Sequence, residues 1–301
     1  MTMDAFAGKI CAAVKGTLGE EFHTEVREVR KNNGVILHGL VIQEEGQRMV
    51  PIIYLEYFLE TYESGMPFEA VVCRLLSVYK EEGEIGSMDM EFFMSYEKVK
   101  DRICYRLIRR KGNEEMLEGM PHVDFLDLAV CFYYDYCDRK TGNGTIQIHN
   151  SHMEMWGVYV EELERAAYEN TPEIHPWSCS GMREILEECE RQSGGDFTDG
   201  SETGEGIAAP MKILSNRTRL HGAACILYPG VLEGIAEKEG NLFIIPSSVH
   251  ETILLPDDGT NSAEALKWMI HEVNRTHVVP EEVLSDSLYY YDLSRKEIVV
   301  L

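Results

Sequence analysis

Residues Asn241–Pro256, NLFIIPSSVHETILLP, decide how the C-terminal part of the chain is read. The run Leu242 to Ile245 has the length and apolar content of a buried strand. Ser-Ser-Val-His-Glu follows, and it supports two readings. A hydroxyl, an imidazole and a carboxylate close together are the components of a hydrolase. Yet Ser248 and Glu251 stand three apart, the spacing of a helix capping box. In that box the Ser oxygen accepts from the N3 amide and the Glu reaches back to the cap amide. Capping accounts for both side chains, so the sequence predicts a strand and then a short helix whose first turn they hold.

Around this stretch, residues 209–301 read as an α/β lobe. A strand is expected over Met211–Ser215, an apolar segment over Ala223–Leu227 and a helix after Pro229, then a helix over Ser262–Val273 and a terminal pair of strands. Upstream, residues 192–208, QSGGDFTDGSETGEGIA, have almost nothing to bury and predict an acidic linker or loop.

Residues 1–191 read as a larger α+β lobe. Met3, Phe6, Ala7, Ile10, Cys11, Val14 and Leu18 recur at helical spacing, so the N-terminus predicts an amphipathic helix and not a signal peptide. Asn32-Asn33-Gly34 supplies the positive φ values of a tight turn between two strands spanning 23–43. Pro51 and Pro67 each suit a first helical turn, since the missing N–H would be unpaired there. Residues 101–110 and 124–136 predict strands, the second the most apolar, and TIQIH a short one. Ser151 and Glu154 form a second candidate capping box, opening a long helix through Trp156, Val160, Leu163, Ala166 and Ala167 that Pro172 stops. The expected class is α+β, an N-terminal helix and hairpin followed by mixed helices and strands.

The chain has 301 residues, 44% of them hydrophobic and 27% charged, the balance of a globular protein. With 52 acidic against 28 basic side chains its net charge is -24, which repels phosphate backbones at long range and makes nucleic acid an unlikely partner. No apolar run is long enough to span a bilayer. Eight scattered cysteines without a CxxC pair read as reduced thiols, so a cytoplasmic location is expected.

Candidate chemistry is thin. His271-Glu272 and His277 lack the i, i+4 histidine spacing of a helical zinc site. His149 and His152, with His122, Asp124 and Asp127, are metal-type residues that nothing in the sequence brings together. Cys225 with His221 or His250 would form a thiol–imidazole pair, but its apolar neighbours in AACILY suggest an inert buried thiol. Ser247 or Ser248 with His250 stand too close in sequence to face one another in a helix. Asp257–Asn261 lacks the acid a calcium loop needs at its twelfth position. The one basic cluster runs from Lys98 to Lys111; internal pairing with acids is the expectation, an anion or nucleic-acid surface the alternative. The sequence assigns no cofactor and no metal.

Several blocks resemble one family: NNGV (32–35), PHVDFLDLAV (121–130), NSHMEMWG (150–157), AAYENTP (166–172), NRTRLHGAACILYPGVL (216–232), IIPSSVHETILLP (244–256) and HEVNRTHVVPEEVLSDSLYYYD (271–292). They are similar to a domain-of-unknown-function family, number 5688, of anaerobic gut Firmicutes. The resemblance covers nearly the whole chain outside the acidic stretch. It implies a bacterial cytosolic protein and transfers no activity, cofactor or catalytic residue. The expected function is therefore a non-catalytic interaction or regulatory protein, binding another protein or itself. The alternatives are a hydrolase or transferase with His250, Glu251, His221, Cys225, His122 and Asp124 as candidate site residues, and nucleic-acid binding through 98–111.

Overall fold

A computed structural model describes residues 1–19, 21–44, 52–82, 90–138, 142–181 and 211–301. The acidic stretch 192–208, Pro51 and Cys189 lie outside them. The fold is α+β, and it divides into two compact units, residues 1–94 with 136–144 and residues 95–135 with 145–301.

In the first unit, helix α1 (Met3–Leu18) is capped by Thr2, whose hydroxyl accepts from the Ala5 amide at 3.4 Å. Strands β1 (Phe22–Arg30) and β2 (Ile36–Glu44) pair antiparallel, and Asn33 and Gly34 take the left-handed conformation between them. Residues Ile52–Tyr54 form β3 against β2, not the start of a helix; the helix that follows, α2, spans Glu56–Glu63. Gly39 admits this pairing, because a Cβ there would come within 2.3 Å of the Ile52 side chain. Helix α3 (Phe68–Glu82) starts directly after Pro67. Phe6, Ile10 and Val14 of α1, Leu40 and Ile42 of β2, and Val71 and Leu75 of α3 form the core.

The second unit holds two antiparallel sheets. After a short helix, α4 (Tyr96–Val99), strand β4 (Ile103–Arg109) pairs with β6 (Leu128–Asp138). Helix α5 (Glu114–Glu118) leads to β5 (His122–Phe125), on the other side of β6, and β7 (Gly142–Gln147) also pairs with β6. The long helix expected from Ser151 is two helices, α6 (Asn150–Trp156) and α7 (Val160–Ile174), separated at Gly157, which has φ +68°. Nor does the Ser151–Glu154 box form. The His149 amide instead donates to His152 Nδ1 at 3.1 Å, because α6 begins two residues earlier than the box requires. Pro172 sits in the last turn of α7, two residues before its end.

Strands β8 (Trp177–Gly181), β9 (Lys212–Asn216), β10 (Leu242–Ser248), β11 (Glu251–Pro256), β12 (Tyr289–Asp292) and β13 (Glu297–Val300) form the larger sheet, in the order β13-β12-β10-β11-β9-β8. A 3₁₀ segment (Gly222–Leu227) and α8 (Val231–Glu239) connect β9 to β10, and α9 (Ala263–Thr276) packs Leu266 and Ile270 on Phe243, Ile245 and Leu255.

The capping box expected at Ser248–Glu251 is absent, and no helix follows β10. Ser248 and Glu251 are cross-strand partners flanking a two-residue turn, Val249-His250. Spacing of three suits such a hairpin as well as it suits a helix start. The tie is broken by distant pairing: Thr252, Ile253 and Leu254 bond to Leu214, Ile213 and Lys212 of β9, and Thr252 and Leu254 are fully buried. Pro246, which has no N–H, coincides with the register shift between Ile245 and Ser248.

Candidate functional site

The β10–β11 turn meets the loop that leaves β9, so PSSVHE and NRTRLHG do come together. Asn216, almost fully buried, braces that loop: its amide donates to Leu220 O at 2.7 Å and its side-chain oxygen accepts from the Thr218 hydroxyl at 2.9 Å. Arg219 and His221 adopt left-handed φ values of 55° and 56°, a strained choice for residues with a Cβ. Gly222 is forced by close approach. A Cβ there would lie 2.1 Å from Ser215 Oγ, 2.5 Å from His250 O and 2.7 Å from the Asn216 amide.

This geometry fixes two imidazoles. The His221 backbone N–H donates to His250 Nδ1 at 3.2 Å, and the rings stack 17° from parallel with centres 5.9 Å apart. His250 is held further by its own amide, which donates to Ser248 Oγ at 3.1 Å, and by its carbonyl, which accepts from Ser215 Oγ at 2.8 Å. His250 Nε2 faces Glu282 Oε1 at 3.5 Å, and Val249 N–H donates to Glu282 O at 2.9 Å. Since Nδ1 accepts, a neutral His250 carries its proton on Nε2, toward that carboxylate.

Behind His221 lies Tyr133 of β6, ring centres 5.5 Å apart, and Tyr133 also adjoins His175 at 6.4 Å. His175, 6% exposed, has Nε2 3.4 Å from Asp135 Oδ1, outside hydrogen-bonding geometry. Asp135 is claimed by Arg102, whose Nη2 bonds its carboxylate and whose Nε donates to its carbonyl at 2.6 Å. Arg106 Nη2 donates to Gln147 Oε1 at 2.7 Å, while its Nε is sealed from solvent without a hydrogen-bond partner. His221 Nδ1 and both His175 ring nitrogens share that condition. Burial, then the Arg106 charge and the imidazoles of His250 and His175, push His221 down to about 3, so it stays neutral.

The other candidates do not join. Cys225 is buried in the 3₁₀ segment, and burial pushes its thiol up to about 12. Glu251 opens β11 opposite Ser248. His122 Nδ1 faces Met120 O at 2.9 Å, and Asp124 sits 3.2 Å from Arg110 Nε. Asp127 accepts from Ser285, Ser287 and Tyr289 hydroxyls. Among the described residues no three of His, Cys, Asp and Glu converge as a metal-binding set. The basic run is largely matched by acids: Lys100 by Glu97, Arg102 by Asp135, Arg109 by Asp286 and Arg110 by Asp124.

A family model described as a family of unknown function, DUF5688, matches residues 3–293. The chain belongs to that family. Comparison with curated proteins and with solved structures gives no match. Nor, among the described residues, is any helix long and apolar enough to cross a membrane.

Sequence reasoning on this DUF5688 chain singled out His221 and His250, and took Arg106 only as part of the basic run 98–111, but missed Tyr133, Asp135, His175 and Glu282. A signal was present for one of them. Asp135 interrupts the most apolar strand of the chain, and a carboxylate in a buried strand needs a partner.

Proposed function

We propose that this chain is a cytoplasmic, non-catalytic interaction or regulatory protein. The observation that carries this reading is the engagement of the two imidazoles. General-base or nucleophilic catalysis needs an imidazole nitrogen directed at a hydroxyl, a thiol or a water. Here His250 Nδ1 takes a backbone proton and Nε2 faces Glu282. His221 is neutral with Nδ1 sealed, and the Cys225 thiol is held far above neutral pH. The Ser215 and Ser248 hydroxyls bond backbone groups of His250 and not its ring. Such a cluster locks the 216–222 loop against the β10–β11 turn, which is work of architecture.

A cytoplasmic location is supported by the seven described cysteines, all free of disulfides. Nucleic-acid binding is disfavoured by the acids that occupy most of the basic run and by the net charge of -24.

Fluorophosphonate and iodoacetamide probes at neutral pH test the reading, with His250→Ala and Glu251→Gln as comparisons. No fluorophosphonate labelling and no iodoacetamide labelling of Cys225 in the native protein, with the exposed Cys73 and Cys137 thiols reacting independently of His250 and the His250 change only lowering the melting temperature, is the expected result. Labelling that disappears in His250→Ala would overturn it.

A further inference from the structure

We propose that the cleft where α7 ends, between β8 and the start of α8, binds a small zwitterion: a free α-amino acid with an apolar or aromatic side chain. The proposal rests on the reading of the chain as a non-catalytic binding protein and names what it binds. The cleft measures about 550 Å³, within the size range of small-molecule sites.

Its walls are set before any ligand arrives. Pro172, Pro176 and Pro229 have fixed φ angles. Arg217 N–H donates to Pro176 O at 3.0 Å, and Val231 N–H to Tyr228 O at 3.2 Å. The Tyr228 hydroxyl donates inward to His175 O at 3.0 Å, so its ring is held as part of the lining. A preformed site spares a ligand the ordering cost of building one. Trp177 lines the same cleft and is 45% exposed, offering an open indole surface for an apolar or aromatic group.

Two opposite charges define the ligand. Arg217 and Glu173 both line the cleft, yet among the described residues neither has an ion pair, with each other or elsewhere. Glu173 is also poorly placed for stability. It lies in the last turn of α7, where the helix dipole disfavours an anion, and that turn carries no basic residue. A ligand carboxylate can take the guanidinium fork of Arg217, while its ammonium neutralises Glu173. One molecule with both groups on one carbon and an apolar side chain over Trp177 answers all three features.

L-phenylalanine is the probe, titrated into the whole chain by calorimetry and by saturation-transfer NMR. Saturable binding is expected, weakened about tenfold or more by each of Arg217→Ala, Glu173→Gln and Trp177→Ala. All three side chains are exposed, so the variants should keep the fold, which circular dichroism checks. N-acetyl-L-phenylalanine, lacking the ammonium, should bind more weakly and be indifferent to Glu173→Gln. No saturable binding, or binding unmoved by the three substitutions, would overturn the site and leave the non-catalytic reading standing. Conversion of bound L-phenylalanine, detected by mass spectrometry, would do the reverse.

Discussion

His221 donates its backbone N–H to the ring of His250 while its own ring stacks on that same imidazole, 5.9 Å centre to centre. One residue thus fixes its neighbour's tautomer and is itself kept from protonation by the neighbour, by His175, by Arg106 and above all by burial. Both features depend on the left-handed backbone at His221, which turns the amide and the side chain toward the β10–β11 turn together.

That arrangement predicts a pH dependence. The folded value of about 3 lies below the ordinary histidine value of 6.5, so the unfolded chain takes up the proton first. Stability from this group is intact above pH 6.5 and is lost as pH falls toward 3, at no more than about 1.4 kcal/mol per pH unit. Allowing for partial exposure, about 1–2 kcal/mol should disappear between pH 7 and pH 5. Asparagine tolerates the left-handed region, so His221→Asn removes the proton site without new backbone strain. The wild-type advantage over His221→Asn in urea unfolding should shrink across that interval. Parallel curves would refute the assignment.

Two glycines should respond to alanine with opposite signs. Gly222→Ala places a methyl against Ser215 Oγ, His250 O and the Asn216 amide, two of them backbone atoms of separate strands or turns. A loss of about 3 kcal/mol is expected, read as a lower urea midpoint at constant m-value. Gly234 lies inside α8 with nothing within 4 Å of an added Cβ. Gly234→Ala should therefore stabilise by about 0.5–1 kcal/mol. Equal effects at the two positions would mean that the close approach at Gly222 is not real.

Where a local signal decided the structure, the sequence was readable. Asn33 and Gly34 show the positive φ their types suggest, and Pro67 marks a helix start. At Ser248 and Glu251 the local pattern had two solutions, and the choice fell to β9, whose residues lie some forty positions upstream in sequence. The polar cluster was legible only in part for the same reason. His221 and His250 stand in polar runs that draw notice, whereas Asp135, His175 and Glu282 reach them from three other elements, and no spacing rule links those. Gly157 within NSHMEMWGVYV carried a usable warning that one long helix would be two.

Burial separates five of the described cysteines into two classes. Cys73 and Cys137 are exposed, while Cys104, Cys131 and Cys225 are buried and pushed up to about 12 chiefly by that burial. Disulfide-exchange labelling of the native protein at pH 8 should lose one fast-reacting thiol in Cys73→Ser and another in Cys137→Ser. Cys225→Ser should leave the fast phase untouched. Rapid modification of Cys225 in the folded chain would restore it as a candidate nucleophile.

Asp127 makes a final case in which a carboxylate singled out for metal binding does structural work. Its Oδ1 accepts from the Tyr289 hydroxyl at 2.6 Å, and its Oδ2 from Ser285 Oγ at 2.6 Å and Ser287 Oγ at 3.1 Å. Tyr289 and Ser285 are both fully buried, so Asp127→Ala strands two hydroxyls away from water and should cost about 3 kcal/mol. Tyr289→Phe leaves the carboxylate with two donors and should cost about 1 kcal/mol. Once the phenol is gone, removing the carboxylate no longer strands it. The double variant should therefore lose about 1 kcal/mol less than the sum of the singles. Urea midpoints of the four proteins give that coupling directly, and additivity to within about 0.3 kcal/mol would show that the 2.6 Å contact does not form in solution.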